Sequence, residues 1–204
     1  MNDTSLAERR RLMNLDGPSL VKYQIERLNG LFTNILPQNQ FYANKLSGLP
    51  TELNSLEQFT SFPFTFKEEL IERAVDSKYA ANLTWPPDQY VRLHRTSGTR
   101  GRPLIVLDTA EDWQWWMRGW AYVLDSADLR ESDRVMMAFS FGPFIGFWSA
   151  YDAVIQRGAL CAPAGGLSTL ARIDLLKTID ATAVFCTPSY ALHMAEVAAD
   201  NQIN

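Results

Sequence analysis

Apolar positions in the first third of the chain recur at helical spacing. Leu20, Val21, Ile25, Leu28, Phe32 and Ile35 follow Pro18 and Ser19 as one stripe, the pattern made when side chains three and four residues apart share a helix face. Shorter helical pieces are expected over 40–46 and 56–59, and Thr65 with Glu68 forms a capping-box pattern ahead of Leu70, Ile71 and Ala74. Pro86-Pro87 then breaks the chain. From Tyr90 the period shortens: 90–96 alternates like a half-buried strand, and 103–107 reads as a second strand. Thr109 with Asp112 caps a helix that carries Trp113, Trp116, Met117, Trp120 and Val123.

Beyond Ser132 strand and helix patterns alternate. Strands are expected over 135–139, 159–162 and 183–186, with helices over 144–156, 169–179 and 190–199. Such alternation argues for βαβ units. The expected class is α/β: a helical N-terminal region followed by βαβ units forming a mainly parallel sheet. The division expected is 1–88 as a mainly helical region and 89–204 as an α/β region, together one incomplete domain.

Composition narrows the function classes. The 204 residues suffice for one large domain or two small ones, and 47% hydrophobic with 21% charged residues is ordinary for a globular protein. Nineteen Lys and Arg against 23 Asp and Glu give a net charge of −4 with no long basic run. Nucleic-acid or anionic-membrane binding, which needs concentrated positive charge, is therefore not expected. Residues 1–11 are too polar for a signal peptide, and the longest apolar stretch, 135–155, is broken by Gly142, Pro143, Gly146 and Asp152. The expected location is the cytoplasm. Cys161 and Cys186 each lie in an apolar run and read as buried free thiols.

The chemistry concentrates in Thr96-Ser97-Gly98-Thr99-Arg100-Gly101-Arg102-Pro103. Two glycines three residues apart let the backbone turn tightly and expose N–H groups to an anion. Ser97 and Thr99 add hydroxyls, and Arg100 and Arg102 add guanidinium forks suited to phosphate oxygens. No Walker pattern is present, because the loop joins strand to strand and lacks the Gly-Lys-Ser/Thr entry into a helix. A plain hairpin turn uses the same Gly, Ser and Thr. On composition the two readings stand level; two arginines and two hydroxyls favour phosphate.

The segment is similar to the phosphate-binding signature of adenylate-forming enzymes, Ser-Ser-Gly-Thr-Thr-Gly-x-Pro. Ser97, Gly98, Thr99, Gly101 and Pro103 match it and Thr96 nearly so, while Arg100 stands where a second Thr is usual and Leu104 where many members carry Lys. The surroundings resemble the phenylacetate–coenzyme A ligase branch: Phe41-Tyr42 with Lys45-Leu46, Phe62-Pro63-Phe64-Thr65 with Lys67-Glu68 and Leu70, Arg92-Leu93-His94, and Cys186-Thr187-Pro188-Ser189-Tyr190, in the expected order.

This resemblance implies the N-terminal part of an ATP-dependent carboxylate–CoA ligase, with an aryl acid favoured. In such a ligase the acid attacks the α-phosphorus of ATP, Mg²⁺ accompanies the leaving pyrophosphate, and coenzyme A captures the acyl group. Thr96, Ser97, Gly98, Thr99, Arg100, Gly101 and Arg102 are the implied nucleotide-binding residues. Phe141 and Phe144, in a cluster of aromatics after a strand, are the implied wall of the acid pocket. Pro188, Ser189 and Tyr190, at the next strand-to-helix junction, join them as candidates, although that junction also reads as a plain helix cap. Core packing is the simpler reading for most of the aromatics, including Trp113, Trp116 and Trp120. Trp115 points elsewhere. His94 and His193 have no partner at metal or catalytic spacing and read as structural, and no catalytic or metal-binding residue is expected.

The family's adenine and Mg²⁺ segments, its ribose-binding Asp and its C-terminal Lys domain have no recognisable counterpart up to Asn204. The expectation is a chain that does not adenylate alone. The rival expectation is a non-catalytic module, kept for assembly or anion binding. A homodimer or a separate chain carrying the missing half are the expected protein partners.

Overall fold

The computed structural model describes residues 5–72, 79–98 and 101–203. They fall into two compact units, 1–112 and 113–204.

The first unit opens with helix α1 (Leu6–Met13), capped by Ser5, and α2 (Gly17–Ile35), capped by the Asp16 carboxylate on the Ser19 amide with Pro18 in its first turn. Three short helices follow: α3 (Gln40–Lys45), α4 (Leu56–Phe59) and α5 (Lys67–Glu72). Polar side chains fasten these pieces as much as apolar ones do. Asn29 makes a two-way bond with the Leu53 backbone, donating to its carbonyl at 2.9 Å and accepting from its amide at 2.7 Å. Buried Asn39 caps α3 through the Tyr42 amide and donates to both the Asn82 carbonyl and the Thr84 hydroxyl. Lys45 lies against the Glu69 carboxylate, whose oxygen also accepts the Phe66 amide and so closes the start of α5. Phe32 stacks on Phe62 with centroids 5.4 Å apart.

Strands β1 (Tyr90–Arg95) and β2 (Ile105–Thr109) form an antiparallel hairpin with Arg95 opposite Ile105. The second strand begins two residues later than the periodicity predicts. Pro103 has no N–H, and the Leu104 amide turns inward to the Thr96 hydroxyl, so the regular ladder cannot start before Ile105. Asp112 and Thr109 cap each other reciprocally, amide to side chain in both directions, at the start of α6 (Ala110–Ser126).

In the second unit β3 (Arg134–Met137) lies between β4 (Leu160–Pro163) and β5 (Ala183–Phe185), parallel to both. The connecting helices are α7 (Ile145–Gln156) and α8 (Thr169–Thr178), and α9 (Pro188–Asp200) follows β5. Because strand side chains alternate, β3 feeds two cores. Val135 and Met137 pack with Trp113, Met117, Leu124, Ala150 and Val154 from α6 and α7, while Met136 and Ala138 pack with Ile173 and Met194 from α8 and α9. The parallel α/β unit expected from the repeating pattern is the one observed. Trp115 is half exposed, whereas Trp113 is buried and donates its indole N–H to Asp152. No described helix is long and apolar enough to cross a membrane.

Candidate functional site

The hairpin loop of the first unit is built by its own backbone. Thr96 and Leu104 close it twice: the Thr96 amide donates to the Leu104 carbonyl at 3.0 Å, and the Leu104 amide donates to the Thr96 hydroxyl at 3.0 Å. Within that frame the Gly101 amide donates to the Gly98 carbonyl at 3.0 Å. Gly98 has φ +70°, and a Cβ there would lie 2.9 Å from both the Gly101 carbonyl oxygen and the Pro103 ring. Only glycine fits this turn.

The loop therefore uses part of its donor set on itself. Among the described residues of the loop, Ser97 and Arg102 are exposed. Thr96 keeps its O–H, since its oxygen serves as an acceptor from Leu104. Thr99 and Arg100 lie outside the described residues. Below the loop, His94 Nδ1 sits 3.0 Å from Asp108 Oδ2, both residues buried, tying β1 to β2.

The second unit contains a cleft of about 840 Å³ at the open side of β5. One end reaches past the carboxyl ends of the strands, where Ala138, Phe139, Ser140, Cys186 and Thr187 line it, the region in which parallel α/β sheets hold ligands. Phe147 and Ala150 of α7, Trp120 of α6, Arg172 of α8 and Tyr190 of α9 complete that end, and Asp128 and Asp133 lie on the lining as well. Trp120 is held by its indole N–H on the Ser149 hydroxyl at 2.9 Å. Tyr190 is held by its hydroxyl on Thr169 at 3.1 Å, and the side chain of Thr187 caps α9.

The five residues expected at an acid pocket separate here. Tyr190 lines the cleft. Phe141 is packed behind it, with ring centroids 5.5 Å from Phe139, 4.8 Å from Trp148 and 5.5 Å from Tyr151. Phe144 is partly exposed and meets Phe147 edge-on, while Pro188 and Ser189 are exposed on the first turn of α9. Trp120 and Phe139 pack against the core and also line the cleft, and Phe147 lines it with them. Arg172 carried no sequence signal at all, being one charged position in an ordinary helix.

Cys161 is a free thiol whose ionisation is pushed up to about 11 by burial, with the Asp152 carboxylate adding to the effect. It is thus a packing residue and not an activated nucleophile. Cys186 is also free and lies on the cleft lining. Among the described residues no group of three or more His, Cys, Asp or Glu side chains is placed to hold a metal ion.

The fold of the chain is shared with solved coenzyme A ligases. The chain superposes on 2-hydroxyisobutyryl-CoA ligase in complex with 2-HIB-AMP and CoA in the thioesterification state with a TM-score of 0.88 and 26% identity, covering 98% of this chain and 44% of that one. The open conformation of the same ligase gives a TM-score of 0.87 at 25% identity, with 98% and 49% covered. The class is thus that of the adenylate-forming coenzyme A ligases. Phenylacetate–coenzyme A ligase of Pseudomonas putida is 28% identical over 181 residues, 87% of this chain and 40% of that protein. The enzyme of Escherichia coli (strain K12) is 27% identical over 176 residues, 85% and 39%. The chain belongs to the phenylacetate–coenzyme A ligase-like branch of that superfamily and corresponds to an N-terminal portion of such enzymes. It spans about two fifths of the length of these curated relatives. No protein-family model matches it.

Proposed function

We propose that this chain supplies the nucleotide-phosphate loop and part of the acid pocket of an ATP-dependent carboxylate–CoA ligase that works through an acyl-adenylate, and that these residues do not catalyse the reaction alone. The observation that carries this reading is the Gly98 turn. A conformation closed to any side chain leaves Ser97 and Arg102 exposed at one hairpin tip, the donor types that a phosphate tail accepts. The donor set fits a phosphate at the Ser97 hydroxyl and the Arg102 fork. It does not offer the Gly101 amide, which is already bonded to Gly98.

ATP bound there, with Mg²⁺, would supply the activated phosphorus and the pyrophosphate leaving group. The chain's own part is to hold and orient. Arg102 brings permanent charge to the outer phosphates, Ser97 adds a hydroxyl donor, and the Thr96–Leu104 closure keeps both at a fixed spacing. The acid's apolar body is assigned to the aromatic end of the second unit's cleft, with Phe139, Phe147 and Tyr190 as its walls. Coenzyme A, the thiol acceptor, and an aryl acid as substrate follow from the relatives. The remaining machinery would come from further residues or a separate chain.

Titration calorimetry of ATP with Mg²⁺ against this chain and Arg102→Ala tests the loop. Losing one charge-assisted contact, worth about 1.5–3 kcal/mol, is expected to weaken binding about tenfold or more. Equal and negligible binding by both proteins would favour the alternative, a non-catalytic module that keeps the fold for assembly.

A further inference from the structure

Arg172 is the most unusual charge in the second unit. It is only 8% exposed. Its Nε donates to the Ala164 carbonyl at 2.9 Å, and its guanidinium carbon lies 5.0 Å from the centre of the Tyr190 ring. The two terminal nitrogens make no hydrogen bond, and no carboxylate pairs with them, among the described residues. Every fully buried side-chain nitrogen or oxygen described has a partner, so these unbonded nitrogens are not fully buried, and Arg172 lines the cleft.

A guanidinium cannot shed its proton to escape burial. One carbonyl and a ring face offset only part of its lost hydration. The flat fork left over has the shape of a carboxylate's partner. Around it the cleft is hydroxyl-bearing at Tyr190, Thr187 and Ser140, and the α9 N-terminus adds a favourable dipole. Phe139 and Phe147 give the same space apolar walls. Elsewhere the lining carries Asp128 and Asp133 with no second lysine or arginine, which disfavours a polyanion.

We propose that Arg172 is the carboxylate anchor of this cleft, which takes an acid with one negative charge and an apolar, ring-sized body. The inference rests on reading the cleft as an acid pocket, and adds both the residue that recognises the charge and the charge class it selects. Tyr190 is the positioning residue, holding the guanidinium plane by stacking while its own hydroxyl is tied to Thr169.

The test follows Trp fluorescence and calorimetry of the intact chain with phenylacetate, its neutral analogue phenylacetamide, and inorganic phosphate. Wild type is expected to bind phenylacetate at least tenfold more tightly than the amide, with phosphate failing to compete. Arg172→Met should reduce phenylacetate to the level of the amide and leave the amide itself unchanged, with Arg172→Lys in between. Tyr190→Leu, which removes the stacking face, should weaken phenylacetate more than the amide. Equal affinity of wild type for acid and amide, or an Arg172→Met chain that binds phenylacetate as wild type does, overturns the proposal. Should Arg172→Met fail to fold by near-ultraviolet circular dichroism, the wild-type comparison and Arg172→Lys decide the matter. Loss of acid discrimination with intact ATP binding would sink this anchor and leave the nucleotide loop standing. Loss of ATP binding alone would do the reverse.

Discussion

Gly98 shows how much one missing side chain controls. Its φ of +70° is a region that costs an L-residue roughly 1–2 kcal/mol, and a Cβ would add contacts at 2.9 Å to a backbone oxygen and a proline ring. Neither neighbour is the end of a flexible side chain that can step aside. Gly98→Ala is therefore expected to lower stability by about 2 kcal/mol or more in urea, with an unchanged dependence on denaturant, and to weaken ATP binding because the turn reopens. An alanine variant with wild-type midpoint and wild-type ATP affinity would show that the loop does not need this conformation.

Elements are held in register by pairs distant in sequence. His94 and Asp108 face each other diagonally across the two strands of the loop-bearing hairpin, buried and 3.0 Å apart. Removing the carboxylate takes a partner from a buried imidazole, a loss of about 1–3 kcal/mol. Asp108→Ala is expected to show that loss in chemical denaturation, and Asp108→Asn, which keeps an acceptor, a smaller one. Equal midpoints for all three proteins would mean that the pair contributes nothing to the hairpin. The helices obey simpler rules. Asp16, Asn39, Ser168 and Thr187 each cap a helix through the side chain, and Pro18 and Pro188 sit in first turns where no N–H is missed. Helix α1 shows what escapes such reading. Eight polar-rich residues with one buried arginine, Arg9, give no apolar stripe to recognise, and its exposed Glu8–Arg11 pair leaves no strong pattern in the sequence.

At the scale of the molecule, two compact units carry different parts of the proposed chemistry, the loop in one and the cleft in the other. The chain covers only 44–49% of the related coenzyme A ligase structures while matching their fold closely. Catalysis by preorganised groups requires all of them at once. Incubated with ATP, Mg²⁺ and phenylacetate, these 204 residues are accordingly expected to release no pyrophosphate above the background of the Arg102→Ala chain, in a coupled phosphatase assay. Sustained, acid-dependent release would refute the proposal that the reaction needs further residues.

The order of the elements after α1 and the parallel α/β character of the second half were legible in the residues alone, as was the composition of the loop. Those features depend on neighbours a few positions apart: helical and strand periods, capping side chains, and glycines where a turn must tighten. The sequence could not determine which groups remain available for a ligand. That the Thr96 hydroxyl and Gly101 amide are used inside the loop depends on hairpin register. That Phe141 packs behind the cleft while Phe139 and Phe147 line it depends on how α7 lies against β3. That Arg172 meets the ring of Tyr190, eighteen positions away, and no carboxylate, depends on two helices packing on one face of the sheet. Such pairings are settled by the burial and desolvation of whole surfaces, which only the folded chain brings together.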